Sequence, residues 1–287
     1  MINLVARVQS PARPFSDPDH ATQFWRKMRG KFPDVIAAVL MPNHLHLLLP
    51  EGTDPNSAHH DLKILVQRSV FEWEPVPYPE KIRDPKHGRR QIRYIALNPC
   101  RSKLCRDPLE WAWSTYRGSF GAVADPWVSA KVLAKAYEWK SIPQFLSWFH
   151  SYVSSDLTVS PSGTPVLSAN TVSENRSYLG YHFDYILRAV FAASESTYAD
   201  IARDKSRIRR AVIHLAGKNG WTQTELLAAK LECTPRFVQY CRKQVPDRAL
   251  IQAAQICLGD MRCISLNAKS EGSRMNLEVL DFAKHEI

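Results

Sequence analysis

Nine residues from Met41 to Leu49, MPNHLHLLL, hold the clearest chemical pattern in the chain. On an extended strand, residues two apart face the same way, so His44 and His46 project together while Leu45, Leu47 and Leu49 fill the opposite face. Two neutral imidazoles at that separation can ligate one divalent ion; the bland alternative is a pair of half-exposed strand histidines. A second constellation, QIRYIALNP from Gln91 to Pro99, follows about fifty residues after the histidines. On a helix Tyr94 and Asn98 are four apart and share a face. Pro99 disfavours helix at the residue before it, so the helix is expected to end or kink there, leaving the hydroxyl and amide near a helix end. A tyrosine hydroxyl keeps its proton to about pH ~10 in water and attacks well only where neighbours stabilise the phenolate. Arg90, Arg93 and a bound cation are candidates for that role; the alternative is a ring packed on a sheet, with Asn98 capping.

The tyrosine stands in a basic stretch. Lys81, Arg83, Lys86, Arg89, Arg90, Arg93, Arg101, Lys103 and Arg106 face the single acid Asp84. A solvated helix face usually mixes signs, so this run reads as a site for a phosphodiester backbone, DNA or RNA.

Strands and helices alternate around these motifs. Ile2–Val8 reads as a strand, and Asp17-Pro18 opens a helix through about Lys31, with Asp17 as N-cap. Val35–Leu49 reads as strand, break and strand, Ser57–Trp73 and Arg89–Leu97 as helices, and Asp107-Pro108 as the start of a further short helix. Together these predict an α+β unit over residues 1–120, with a helical extension over 121–150. The Ser-, Thr- and Pro-rich stretch at 151–177 reads as a flexible linker. From 178 to 287 the pattern is all helical: Phe183–Ala193, Tyr198–Gly217, Thr222–Lys230, Pro235–Lys243 and Asp247–Leu258. Within it, TQTELLAAKLECTPRFVQYCRK has the spacing of a helix-turn-helix, whose second helix can enter a major groove; a generic helical hairpin fits as well.

MPNHLHLLL, then RYIALNPCRSKL, then DPLEWAWSTY, in that order over Val35–Tyr116, resemble the single-tyrosine HUH transposases, especially the REP-associated tyrosine transposases. The resemblance implies a small antiparallel sheet flanked by helices, with the histidines on a central strand and the tyrosine on a facing helix. It implies His44 and His46 as metal ligands, Asn98 as a further polar ligand, Tyr94 as the nucleophile, and Mg²⁺ or Mn²⁺ as the cation, although imidazoles alone would suit Zn²⁺ equally. It also implies a 5′-phosphotyrosine intermediate with a free 3′-hydroxyl, on single-stranded or hairpin DNA; within the basic run, Lys86, Arg89, Arg90, Arg93 and Arg101 are the candidate contacts to that DNA. The segment Asp184–Tyr240 resembles the DNA-binding domain of the bacterial replication initiator DnaA. That resemblance implies phosphate contacts by Arg207, Arg209 and Arg210, and a recognition helix opened by Arg236; it does not extend to the target of DnaA itself. A non-catalytic DNA-binding regulator on the same scaffold is the second reading.

The 287 residues carry 45% apolar and 23% charged side chains and a formal charge of +10, globular values with a lean towards polyanionic partners. No window approaches the ~18 apolar residues of a membrane span, and Met1–Arg7 lacks the form of a secretory signal. Six cysteines without a C-x-x-C pair read as reduced thiols of a cytoplasmic protein. No P-loop is present.

Overall fold

The structure, a computed structural model, describes residues 1–155, 181–196 and 207–264. It is an α+β molecule with a small four-stranded antiparallel sheet in the order β2-β3-β1-β4. The strands are β1 (Ile2–Arg7), β2 (Ala37–Met41), β3 (His44–Leu49) and the two-residue β4 (Glu80–Lys81). Pro42 and Asn43 alone join β2 to β3, so the register follows directly: Met41 pairs with His44 and Val39 with His46. On the other side of β3, Arg7 pairs with His44 and Val5 with His46.

Alternation along β1 separates the two faces. Ile2, Leu4 and Ala6 are fully buried, Asn3 and Val5 half-buried, and Arg7 exposed. The helix α1 (Pro18–Lys31), capped by the Asp17 carboxylate accepting from the His20 amide, and α2 (Pro55–Gln67) contact each other, and α2 contacts β1. The histidine-bearing face is covered on the β2–β3 side by α3 (Pro85–Arg101), which Asp84 caps. The outer edge of β2 is closed by the stretch Trp111–Thr115. Leu40 donates its amide to the Trp113 carbonyl at 2.9 Å, and the Trp111 indole donates to the Leu40 carbonyl at 2.9 Å. Covering an edge in this way removes a template for unwanted strand pairing.

One expectation is corrected here. The helix does not end at Asn98: α3 continues through Pro99 to Arg101. Pro99 forfeits one helical hydrogen bond, but it is itself buried beside Ala96 and Cys100, and Ser102 closes the helix by donating to the Asn98 carbonyl at 3.0 Å. Burial of that last turn against β2 outweighs the local penalty, so Asn98 is 6% exposed rather than near a loose end. The Asp107-Pro108 segment forms a 3-10 turn, Pro108–Glu110, before the short α4 (Thr115–Ser119).

Helices α5 (Ala130–Ala136) and α6 (Ile142–Ser154) follow, so the segment read as a linker begins inside α6; residues 156–177 lie outside the described residues. Beyond them come α7 (Phe183–Ser194), α8 (Arg207–Lys218), α9 (Thr224–Lys230), α10 (Pro235–Lys243) and α11 (Arg248–Gly259). The helix read from Tyr198 is described only from Arg207 onward. No described helix is long and apolar enough to cross a membrane.

The C-terminal helices pack directly on the sheet-bearing unit, and buried apolar side chains form one cluster running from Ile2 to Ile264. Ala124 donates to the Ala193 carbonyl at 2.8 Å, and Arg262 pairs with buried Asp107 at 3.0 Å. At the end of α7, Glu195 accepts from the Trp25 indole at 3.2 Å and lies 3.6 Å from Arg29, while its carbonyl accepts from Arg26 at 2.9 Å. Glu195→Ala strands the Trp25 donor in a largely closed interface and leaves Arg29 only its pairing with Asp125 at 2.7 Å. The expected cost is about 2 kcal/mol, which for a chain of this size lowers Tm by roughly 4–8 °C. Thermal melts against exposed Glu225→Ala, expected to be neutral, check it.

Candidate functional site

The hairpin turn fixes His44 and His46 before any ligand is considered. Val8 donates to the Asn43 carbonyl at 2.8 Å and Phe15 to that of Pro42 at 3.1 Å, holding the turn against β1 and the loop that follows it. The Asn43 side-chain oxygen lies 2.9 Å from His44 Nδ1. With His44 donating to that oxygen, the other ring nitrogen keeps its lone pair for a ligand. His46 follows on the same face, with ring centroids 5.1 Å apart, and Tyr94 stands 5.6 Å from His46 in an edge-on arrangement. Asn98, one turn along α3 from Tyr94, hydrogen-bonds His44. Thus β3 and α3 bring His44, His46, Tyr94 and Asn98 into one cluster.

Tyr94 is 40% exposed and Asn98 is buried, so the nucleophile candidate opens to solvent while the amide closes the floor. The other two tyrosines of the neighbouring segments are engaged elsewhere. Tyr116 is 2% exposed with its hydroxyl 3.0 Å from His150 Nδ1, and burial raises its pKa well above the ordinary tyrosine value. The Tyr78 hydroxyl donates to Asn56 in α2 at 3.0 Å.

Both imidazoles are held neutral. Burial, then the Arg7 charge, lowers His44 to about 4, against a hydrogen bond that its ring donates to Asn98, which raises it. Burial, then His44 and Arg7, lowers His46 to about 3. The His46 Nδ1 and Asn98 Nδ2 atoms are buried without a hydrogen-bond partner among the described residues. Two neutral rings with an unsatisfied nitrogen and a buried amide form a donor set suited to a divalent cation. Among the described residues no group of three or more His, Cys, Asp and Glu side chains could hold a metal ion, so a cation here would have the two imidazoles and the Asn98 oxygen as its protein ligands.

The basic residues divide into two sets. Lys86, Arg90, Tyr94 and Arg101 are exposed along α3, with the Arg101 guanidinium 5.2 Å from the Tyr94 ring centroid and Arg90 3.9 Å from Asp84. Arg101, rather than Arg90 or Arg93, therefore lies on the tyrosine. Arg89 and Arg93 turn towards the α5–α6 layer: Arg89 pairs with Glu138 at 2.9 Å and Arg93 stacks 4.8 Å over Tyr152. In the C-terminal helices, Arg207 pairs with Asp247 at 2.7 Å, Arg209 and Arg210 are half-buried, and Arg236 is exposed at the start of α10 beside Gln239, Tyr240 and Lys243.

Two residues escaped the sequence reading. Asn43 orients His44, and its place inside MPNH was the available signal. Arg7 stands across from His44 on β1, which only the strand register reveals.

No protein-family model matches this chain, and no curated protein matches it. A solved structure of a REP-associated tyrosine transposase bound to a REP hairpin is similar over 40% of this chain and 76% of that one, at 22% sequence identity and a TM-score of 0.34. Likeness at that level carries no argument about chemistry.

The depressed histidines leave a signature in stability. Below the ordinary value of 6.5 the unfolded chain takes up protons that the native chain refuses down to about 4 and about 3, so stability falls as pH drops through that window. Replacing both histidines by Gln should flatten the fall, measured as the change in Tm between about pH 7 and pH 5. An equally steep decline in the variant would contradict neutral imidazoles.

Proposed function

We propose that this chain nicks and rejoins single-stranded DNA through Tyr94, in the manner of a single-tyrosine transposase. The observation that carries this reading is the convergence of Tyr94 with His44, His46 and Asn98, drawn from two motifs about fifty residues apart onto one half-open face. The Tyr94 oxygen attacks phosphorus and loses its proton as the bond to the 3′-oxygen breaks. That oxygen takes up a proton, leaving a free 3′-hydroxyl and a 5′-phosphotyrosine. One phosphodiester replaces another, so the reverse attack reseals a strand without a nucleotide cofactor. Arg101 over the ring supports negative charge on the attacking oxygen.

His44, His46 and the Asn98 amide would hold a divalent cation, Mg²⁺ or Mn²⁺, which polarises a phosphate oxygen and orients the strand for in-line attack. The exposed stripe Lys86, Arg90 and Arg101 along α3 would follow the DNA backbone. Arg89 and Arg93, engaged by α5 and α6, would support the helix that presents this stripe.

The C-terminal helices supply a second DNA contact. Helices α9 and α10 pack on each other, joined through Glu232 in the left-handed region at φ 49°, and Thr234 caps α10 by accepting from the Phe237 amide at 3.2 Å. Arg242 ties α10 to the start of α9 through Thr224 Oγ1 at 2.9 Å. This leaves Arg236, Gln239, Tyr240 and Lys243 outward, as a helix-turn-helix recognition helix would be. Arg207, Arg209 and Arg210 of α8 would contact phosphates, and a hairpin with a duplex stem would engage both units.

Two outcomes test this. Tyr94→Phe should abolish the covalent protein–DNA adduct formed with labelled hairpins and Mn²⁺ while keeping hairpin affinity; binding with no adduct in the wild type would leave a DNA-binding regulator instead. Arg236→Ala should weaken binding to the preferred hairpin by about tenfold at matched salt, the scale of one lost base contact at ~1–3 kcal/mol. Unchanged affinity across hairpin sequences would remove α10 from recognition.

A further inference from the structure

Among the described residues, no carboxylate joins His44 and His46 in the candidate cation site. Its donors would be two imidazoles and an amide, and the Arg7 charge acts on both imidazoles. Arg101 lies over Tyr94 on the α3 side. Arg7 lies on the β1 side, where its Cα pairs with that of His44. Directly opposed residues of an antiparallel pair share a face with Cβ atoms about 5 Å apart, so the Arg7 side chain starts beside the His44 ring.

Arg7 is placed for a ligand from outside the chain. Its side chain is exposed, and it makes no ion pair among the described residues, although its carbonyl is fixed by accepting from the Glu74 amide at 2.8 Å. Val5 and Asn3, on the same face of β1, are half-buried and Arg7 is exposed, so this face opens to solvent at the Arg7 end of β1. A strand laid across β3 therefore meets Tyr94 from one side and Arg7 from the other. The Arg7 fork matches two oxygens of a phosphodiester.

We infer that Arg7 is a ligand of the phosphodiester attacked by Tyr94, and that its charge makes binding of the divalent cation and binding of the DNA strand depend on each other. The inference rests on the reading of Tyr94 as nucleophile. Without DNA, the guanidinium repels a dication on His44 and His46, and among the described residues no carboxylate joins the histidines to offset that repulsion. A phosphodiester neutralises Arg7 and supplies the missing anionic oxygen, so each ligand raises affinity for the other by the same factor. The free protein thus stays short of metal until a strand is in place, which restricts cleavage to correctly seated DNA.

The test uses the full chain and Mn²⁺, with free ion followed by electron paramagnetic resonance, with and without a hairpin whose target phosphate is intact or replaced by a neutral methylphosphonate. In the wild type the intact hairpin should tighten Mn²⁺ binding by about tenfold or more, and the methylphosphonate hairpin should not. Arg7→Ala should bind Mn²⁺ alone about tenfold more tightly, bind the hairpin more weakly, and lose most of the coupling. These opposite signs are not produced by general damage to the fold. Arg7→Lys retains the charge without the fork, so it should keep the weak Mn²⁺ binding while recovering only part of the hairpin affinity. Mn²⁺ affinity unchanged or weakened in Arg7→Ala, or equal coupling with both hairpins, overturns the inference. Adduct formation separates the two levels: a wild type that makes no adduct sinks the reading of Tyr94, whereas adduct formation with Arg7 variants that behave as wild type sinks only the role of Arg7.

Discussion

The site depends on one packing arrangement: α3 lying across the face of β3 that carries the histidines. Strand spacing aims His44 and His46 to the same side, but two histidines on a sheet have no chemistry to perform until something faces them. The apolar residues of α3, Ile92, Ile95, Ala96 and Pro99, are buried. Their burial fixes the rotation of the helix and so presents Tyr94 and Asn98 to the strand. At ~1.5–3 kcal/mol for each large apolar side chain removed from water, that burial exceeds the cost of carrying a proline through the last turn. The proposed in-line attack needs a fixed helix, because such a reaction tolerates little misplacement of the reacting oxygen.

The same economy extends outward. The two tryptophans of WAWST do not reach the site; they seal the β2 edge, and Thr115 exchanges hydrogen bonds with the backbone of Ala38 at 3.0 and 3.3 Å. The β2 edge is thereby closed, and the exposed end of β1 places Arg7 beside His44. The C-terminal helices close over a different part of the unit, around Trp25, Asp107 and Ala122. The surface that displays Arg236 is therefore carried by elements docked on the sheet-bearing unit.

Much of this was legible in the chain because the signals are local. Period-two alternation in HLHLLL, the four-residue step from Tyr94 to Asn98, the Asp17-Pro18 cap and the helical runs after 183 each need only neighbours in sequence. Apart from Asn43, what escaped was non-local. Arg7 carries no motif, and its relation to His44 exists only once β1 pairs with β3. Arg89 and Arg93 look like Arg90 in sequence, and only the position of α5 and α6 separates the covered pair from the exposed stripe. Pro99 misled because its local penalty is visible, whereas the core that offsets it is assembled from distant segments. The docking of α7 and α11 on the sheet-bearing unit was hidden for the same reason, since a Ser- and Thr-rich stretch says nothing about what packs beyond it.

The central claim is that the oxygen attacking DNA belongs to Tyr94, and mapping the linked residue tests it most directly. After incubation of the full chain with Mn²⁺ and a hairpin, nuclease trimming and trypsin digestion, mass spectrometry reads which peptide carries a nucleotide remnant. The account predicts the remnant on the peptide from Tyr94 to Arg101, joined through a 5′-phosphate. A remnant on a peptide holding Tyr78 or Tyr116, or a link through a 3′-phosphate, would contradict it.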